Sequence, residues 1–288
     1  MICDHHNPGK YVPDAFSILN PKQIKCNYPF KDLCGCSIGL KLIQSYVKKF
    51  NIQLDISPFY QLAAVATAAD VVPLKNENRL ITYLGLKEIN NNPIKPFKFL
   101  FSKINKNNEI NIGDLIFTIA PRINAAGRLE SALLAADFLI SENIENLNKI
   151  EFINNERKKL DEKTTNEAIK ELSNQRINRC TNIVYSKNWH KGIVGIVASR
   201  IIENFYKPTI VLSGKEDILS GSARSIKGFD LYAVLNSLNH YFLSFGGHKY
   251  AAGLSIKKEN LEDFKLDFEN QVQKKINKGD LNPKILID

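Results

Sequence analysis

Long apolar runs are missing from this 288-residue chain. No stretch approaches the ~18–20 uncharged apolar residues that cross a bilayer, so no membrane anchor is expected. Cysteine is scarce and shows no pairing pattern. The five Cys (Cys3, Cys26, Cys34, Cys36 and Cys180) are odd in number and form no Cys-x-x-Cys, which argues against a disulfide framework and for a reduced, cytoplasmic protein. An aspartate and two histidines stand within the first six residues, which does not fit a signal peptide. No internal repeat is visible.

What is present is ordinary for folded domains: 44% hydrophobic and 24% charged residues exclude wholesale disorder. The length suggests two domains. The 39 Lys and Arg exceed the 30 Asp and Glu, leaving +9. That balance permits a polyanionic partner. An Asn-, Ile- and Lys-rich composition accounts for the excess equally well.

Periodicity gives an α/β chain in two parts. Residues 1–3 read as the end of a strand, and 36–50, 60–72 and 76–89 as helices. Residues 90–112 read as an Asn- and Lys-rich loop with at most one short helix, followed by an apolar helix ending near 140. Residues 141–176 form the clearest helical stretch. Its middle is polar nearly all round, as in helices that bridge domains. Strands are expected at 182–185, 208–213 and 219–225, and helices at 192–205, 229–238 and 260–276. Residues 246–256 read as a Gly-rich turn leading into a strand. The expected division is 1–142, a connecting helix 143–177, a smaller mixed α/β domain 178–278, and a linker 279–288. Both ends read as cut through structure.

Five sites carry groups suited to phosphate chemistry. Asp4-His5-His6 places a carboxylate and two imidazoles at a strand end, ahead of Asn-Pro-Gly turn chemistry. A divalent metal or a solvated turn would each account for it. Asp70 closes a small-residue apolar helix, where a lone carboxylate calls for a cation or for solvent. In Pro121-Arg-Ile-Asn-Ala-Ala-Gly-Arg128, Arg122 and Arg128 bracket what reads as a tight turn. Along Gly221-Ser-Ala-Arg-Ser225, Ser222 and Arg224 share a strand face while Ser225 faces away. Gly246, Gly247 and His248 open a glycine-rich segment through which backbone N–H groups could approach a phosphate. Trp189 reads as a packing residue before a base-stacking platform. Residues 178–253 hold nine Lys and Arg against four Asp and Glu, compatible with single-stranded nucleic acid.

Taken in order, these motifs resemble the DHH phosphoesterase superfamily. The resemblance rests on Ile2-Cys-Asp-His-His-Asn-Pro-Gly9, and on Ala69-Asp-Val-Val-Pro-Leu74 with Glu77-Asn-Arg79. Pro121–Arg128, Trp189-His-Lys-Gly-Ile-Val-Gly, Gly221–Ser225 and Gly246-Gly-His-Lys-Tyr-Ala-Ala-Gly253 narrow it to the RecJ-type exonucleases. The implied fold is the C-terminal part of a Rossmann-like parallel-sheet DHH domain, a long connecting helix and a mixed α/β DHHA1 domain. The implied activity is two-metal, 5′→3′ hydrolysis of single-stranded DNA in repair and recombination, with Mn²⁺ or Mg²⁺. The catalytic group implied is Asp4, His5, His6 and Asp70, with His5 and Asp70 ligating metal. Arg122, Arg128, Ser222, Arg224, Gly246, Gly247 and His248 would hold the DNA 5′ end. Implied partners are single-stranded DNA, a single-strand-binding protein and a RecQ-type helicase.

The sequence departs from this pattern in lacking an Asp-x-Asp and an oligonucleotide-binding barrel. The chain is therefore expected to be incomplete and inactive as it stands. The competing expectations are a non-catalytic single-strand-binding protein and an oligonucleotide or cyclic-dinucleotide phosphodiesterase.

Overall fold

The computed structural model describes residues 1–9, 11–106, 108–174 and 179–283. The end of the expected linker, residues 284–288, lies outside the described residues. The backbone forms two compact units, Met1–Asn154 and Asn155–Asp288.

The first unit is largely helical. Its strands β1 (Ile2–Cys3) and β2 (Ile18–Leu19) pair in parallel, Ile2 opposite Ile18. Helices α1 (Gly35–Phe50), α2 (Ser57–Ala69), α3 (Asn76–Asn91) and α4 (Lys95–Lys103) follow. The Asn- and Lys-rich region thus carries one short helix, as expected. A single turn, α5 (Ile112–Asp114), opens with a capping box: the Asn111 side chain accepts from the Asp114 N–H, and Asp114 accepts from the Asn111 N–H. It runs through a π-helical stretch, Leu115–Ile119, into α6 (Ala120–Leu129), and α7 (Ala132–Ser141) follows.

Residues 121–128 are therefore helix, not the expected tight turn. Pro121 follows directly on the π-helical stretch, where the regular i→i−4 ladder is already interrupted. The bend comes later. A side chain on Gly127 would press on Ala132, and Ser131 caps α7 by accepting from the Leu133 N–H.

The core of this unit gathers Val65, Ala68, Phe97, Leu100, Leu115, Ile119, Phe138, Leu147 and Ile150. Helix α2 fits there through small residues. Ala63, Ala64 and Ala68 are buried, and α3 lies so close that a Cβ on Gly85 would overlap the Tyr60 carbonyl oxygen and the Ala64 Cβ.

Helix α8 (Ile144–Ser173) runs through the break between the units. The second unit continues with β3 (Asn182–Ser186), α9 (Val194–Asn204), β4 (Thr209–Ser213), β5 (Ile218–Arg224) and α10 (Leu231–Ser237). It closes with β6 (Phe242–His248), β7 (Ala251–Lys257) and α11 (Leu261–Lys275). The sheet order is β3-β4-β5-β7-β6. Only β3 and β4 are parallel, joined by α9 as their crossover; the remaining pairs are antiparallel. The glycine-rich segment is a hairpin rather than a turn followed by a strand. Gly246 and Gly247 lie within β6, and Lys249 and Tyr250 make the turn.

Alternation divides the sheet into two faces. Ile210, Leu212, Leu219, Ala223, Leu254 and Ile256 form the core with Phe264, Phe268 and Val272 of α11 and Leu231, Val234 and Leu235 of α10. On the other face Val184 of β3 and Val211 of β4 are buried, while its β5, β7 and β6 part carries small and polar residues.

Substituting Gly85 by Ala should force α2 and α3 apart. The expected loss is about 1–3 kcal/mol, as for overpacked cores, read by denaturant unfolding.

Candidate active site and phosphate-binding face

In the first unit the Asp-His-His segment begins where β1 ends. The Asp4 N–H donates to the Leu19 carbonyl at 3.0 Å, the last rung of the strand pair. Beyond it the chain turns around the Asp4 carboxylate. Its Oδ1 accepts from the His5 N–H (2.8 Å) and the His6 N–H (3.3 Å) and meets the His6 Nδ1 at 2.7 Å. The His6 bond is the largest cause holding the Asp4 carboxyl below its ordinary range, against some desolvation. Asn20, which no motif singled out, donates to the His6 carbonyl at 2.8 Å and ties this turn to β2.

Because the strand has ended, the two imidazoles do not point apart; their centroids lie 4.4 Å from one another. They meet different surroundings. His6 is 78% exposed, while His5 is 17% exposed and its Nδ1 faces the Asp70 Oδ2 at 3.3 Å. Asp70 caps the C-terminus of α2. The next residue, Val71, has φ +54°, a left-handed conformation that a β-branched side chain rarely adopts.

A clamp holds the loop after it. Asn78 donates from Nδ2 to the carbonyls of Pro73 (3.0 Å) and Asp32 (2.7 Å). The neighbouring Glu77 pairs with Lys41 at 2.6 Å and accepts from the Tyr28 hydroxyl. Burial first, and then Glu77, push the Tyr28 pKa up to about 12. Beside His5 and Asp70 opens a mostly apolar cavity of about 610 Å³, lined also by Leu62, Ile123, Asn124 and Leu139.

Asp4, His5, His6 and Asp70 are thus brought together. Their fit to a metal is partial. A divalent ion of the Mn²⁺ type takes mixed imidazole and carboxylate ligands. His5 and Asp70 offer one of each, and Asp4 is committed to the turn. Among the described residues no group of three or more His, Cys, Asp or Glu is arranged to hold an ion.

Arg122 and Arg128 do not bracket a turn, since both lie on α6. Arg122 is committed within the fold. Its Nε donates to Glu151 of α8 at 2.6 Å and its Nη1 to the Thr118 carbonyl at 2.6 Å. Both charged side chains are largely buried, and the Thr118 carbonyl belongs to the π-helical stretch. Arg128 is exposed in the last turn of α6.

In the second unit the register assembles most of the expected group on one face. One row across β5, β7 and β6 reads Arg224, Ala251, His248; the next reads Ser222, Gly253, Gly246. The Arg224 Nη1 donates to the Ser222 Oγ at 2.7 Å. The first turn of α9 lies over this pair. A Cβ on Gly195 would stand 3.0 Å from the Arg224 Nη2 and 3.2 Å from the Ser222 Oγ. Further along, the face is open, with nothing within 4 Å of where a Cβ on Gly246 or Gly253 would sit. A guanidinium, a hydroxyl, a helix N-terminus and an exposed imidazole bordering bare backbone make a surface suited to a phosphate.

Gly247 is not on it. It pairs with Ala252 in the intervening row, and at φ +155° a Cβ there would overlap the Ala251 carbonyl oxygen. Its glycine serves the hairpin. Ser225 likewise turns away, donating to the Phe229 carbonyl at 2.9 Å. Trp189 is a packing residue, 7% exposed, with its indole N–H donating to Glu167 at 2.8 Å. Glu167 carried no signal in the sequence, being one of many acids on a polar helix.

Replacing Arg122 by Met should lower stability by about 2 kcal/mol, because Glu151 is left largely buried without its cation. Oligonucleotide affinity, measured in parallel by anisotropy, should not change.

The chain is similar to known proteins along nearly its whole length. The DHHA1 domain model matches residues 176–274. The single-stranded-DNA-specific exonuclease RecJ of Bacillus subtilis is 39% identical over 275 residues, covering 92% of this chain and 34% of that protein. The Escherichia coli protein of the same name is 32% identical over 313 residues, covering 100% and 54%. Among solved structures, RecJ in complex with Mn²⁺ from Thermus thermophilus superposes with a TM-score of 0.84 at 27% identity, covering 95% of this chain and 41% of that one. A manganese-bound exonuclease RecJ gives 0.75 at 26% identity, covering 97% and 69%. The chain spans about a third to a half of the curated relatives it matches. The chain therefore carries a DHHA1 domain over residues 176–274 and is similar, along nearly its whole length, to part of the RecJ single-stranded-DNA-specific exonucleases.

Proposed function

We propose that this chain grips the 5′ end of the strand and contributes metal-binding groups in a single-strand-specific 5′→3′ DNA exonuclease. The observation that carries the reading is the row-by-row assembly of Arg224, Ser222, Gly246 and His248 on one open sheet face beneath the first turn of α9. The Arg224 guanidinium and Ser222 hydroxyl take a terminal phosphate, and exposed Arg128 and His248 attend the strand. Arg122 and Gly247 have no part in this, being committed to an internal ion pair and to the hairpin.

In the first unit, His5 and Asp70 act as metal donors, and Asp4 orients His6 toward the scissile phosphate. Solved RecJ structures hold Mn²⁺ or Mg²⁺, and such an ion would supply Lewis-acid activation of water and of the phosphoryl oxygen. Two donors do not make that site, so further carboxylates must join them. The proposed division is a partial DHH domain to residue 142, a connecting helix to 177, DHHA1 to 278, and a linker beyond. Single-stranded DNA is the proposed partner, with single-strand-binding protein and a RecQ-type helicase as assistants, in repair and recombination in the cytoplasm. Among the described residues no helix is long and apolar enough to cross a membrane.

The test is release of mononucleotides from a 5′-phosphorylated single strand, with Mn²⁺ and with EDTA. The chain alone should bind the strand with an affinity that falls with salt and should release little product. Adding a segment that carries the missing Asp-x-Asp carboxylates should restore metal-dependent release, which His5→Ala abolishes. Failure of restored release would leave a binding protein. Arg224→Gln should cost about tenfold in preference for a 5′-phosphate over a 5′-hydroxyl, the worth of one charge-assisted hydrogen bond.

A further inference from the structure

The phosphate-binding face depends on where the first turn of α9 lies, and that turn is fixed from outside the sheet. Glu167 on α8 accepts from the Trp189 indole N–H at 2.8 Å, the one side-chain bond of a ring that is otherwise packed away. The Trp189 carbonyl in turn accepts from the Ser213 hydroxyl at the end of β4. Trp189 is therefore gripped at both ends, the ring by α8 and the backbone by the sheet.

The chain then makes one compact turn. The Gly192 N–H donates to the His190 Nδ1 at 3.1 Å, and the Ile193 N–H to the His190 carbonyl at 3.1 Å. The Ile193 carbonyl accepts from the Ile196 and Val197 N–H groups, which begins α9. Two residues after Ile193, Gly195 lies against the Ser222 hydroxyl and the Arg224 guanidinium, with no room for a methyl group to spare. A second tie joins α8 to α9 itself, where the Arg200 Nη2 meets the fully buried Asp161 at 2.9 Å. Asp161, Ala168 and Leu172 are all buried, so this side of α8 is the one packed into the unit, with Glu167 exposed at its edge.

We propose that Glu167 is a positioning residue for the 5′-phosphate site: through Trp189 it sets the turn that carries α9 onto Ser222 and Arg224. It touches no phosphate itself. The proposal rests on the reading of that face as a phosphate holder.

Trp189 is the single tryptophan of the chain, so its emission reports on the bond directly. The experiment uses the 288-residue chain and two oligodeoxynucleotides of one sequence, with a 5′-phosphate and with a 5′-hydroxyl. Affinity for each and thermal stability are measured for Glu167→Ala, Glu167→Gln, Trp189→Phe and the double variant Glu167→Ala/Trp189→Phe, and tryptophan emission for the parent chain and the two single Glu167 variants. Glu167→Ala and Trp189→Phe should each lower the 5′-phosphate preference about tenfold, the double variant no further, and Glu167→Gln, which keeps an acceptor, should hold most of it. Emission should shift in Glu167→Ala and not in Glu167→Gln.

Equal loss for both oligonucleotides, or a lower melting temperature with the preference intact, would overturn the positioning role and leave the phosphate site standing. A parent chain with no 5′-phosphate preference would overturn the reading of the face, and the positioning role with it.

Discussion

Side chains that alternate strictly between two faces impose the constraint on which the second unit rests. The apolar set, from Ile210 and Leu212 to Leu254 and Ile256, must meet α10 and α11. Once it does, Ser222, Arg224, Gly253, Gly246 and His248 have no choice but to share the opposite face. A shift of one residue in β5 would turn Arg224 toward the core and Leu219 away from it. Burial of the core and assembly of the polar face are thus one event. The same logic separates Gly247 from Gly246: adjacent in sequence, they serve opposite faces.

The first unit solves a different problem. Asp70 must reach the end of β1, yet it sits at the end of a buried helix. Small residues let α2 and α3 pack nearly backbone to backbone, which brings the Asp70 carboxylate to 3.3 Å from His5. The strained backbone at Val71 and the Asn78 clamp mark the cost of turning the chain away from that point. The mostly apolar cavity alongside would exclude water from part of the approach to the pair.

Charge is used sparingly and in two ways. Some ion pairs are committed to holding helices, as with Arg122 and Glu151, or Arg200 and Asp161. Arg224 instead bonds within its own strand, to the Ser222 hydroxyl and the Ala223 carbonyl, on the polar part of the sheet face. Sequence does not separate these classes, because an arginine in a motif looks the same whether its partner is a phosphate or a glutamate on a distant helix.

Much of the chain could be read from its residues alone. Apolar periodicity located the helices and strands, because burying a face demands period 3.6 or 2 whatever the wider fold. Asp4-His5-His6, Asp70 and the Ser222–Arg224 pair stood out because carboxylate, imidazole and guanidinium groups are rarely placed near apolar segments without a use. Local reading failed where tertiary contacts decide. Pro121–Arg128 looked like a turn, yet Pro121 follows a π-helical stretch where the regular ladder is already interrupted, and Gly127 is needed for the bend at Ala132. Gly246 and Gly247 looked like a loop, yet an edge strand pairs them with Gly253 and Ala252. Which partner Arg122 takes, which face Gly247 occupies, and that Glu167 holds Trp189 were all set by elements distant in sequence. Local composition carries the energy of forming an element, whereas the company each side chain keeps is settled only when the elements pack.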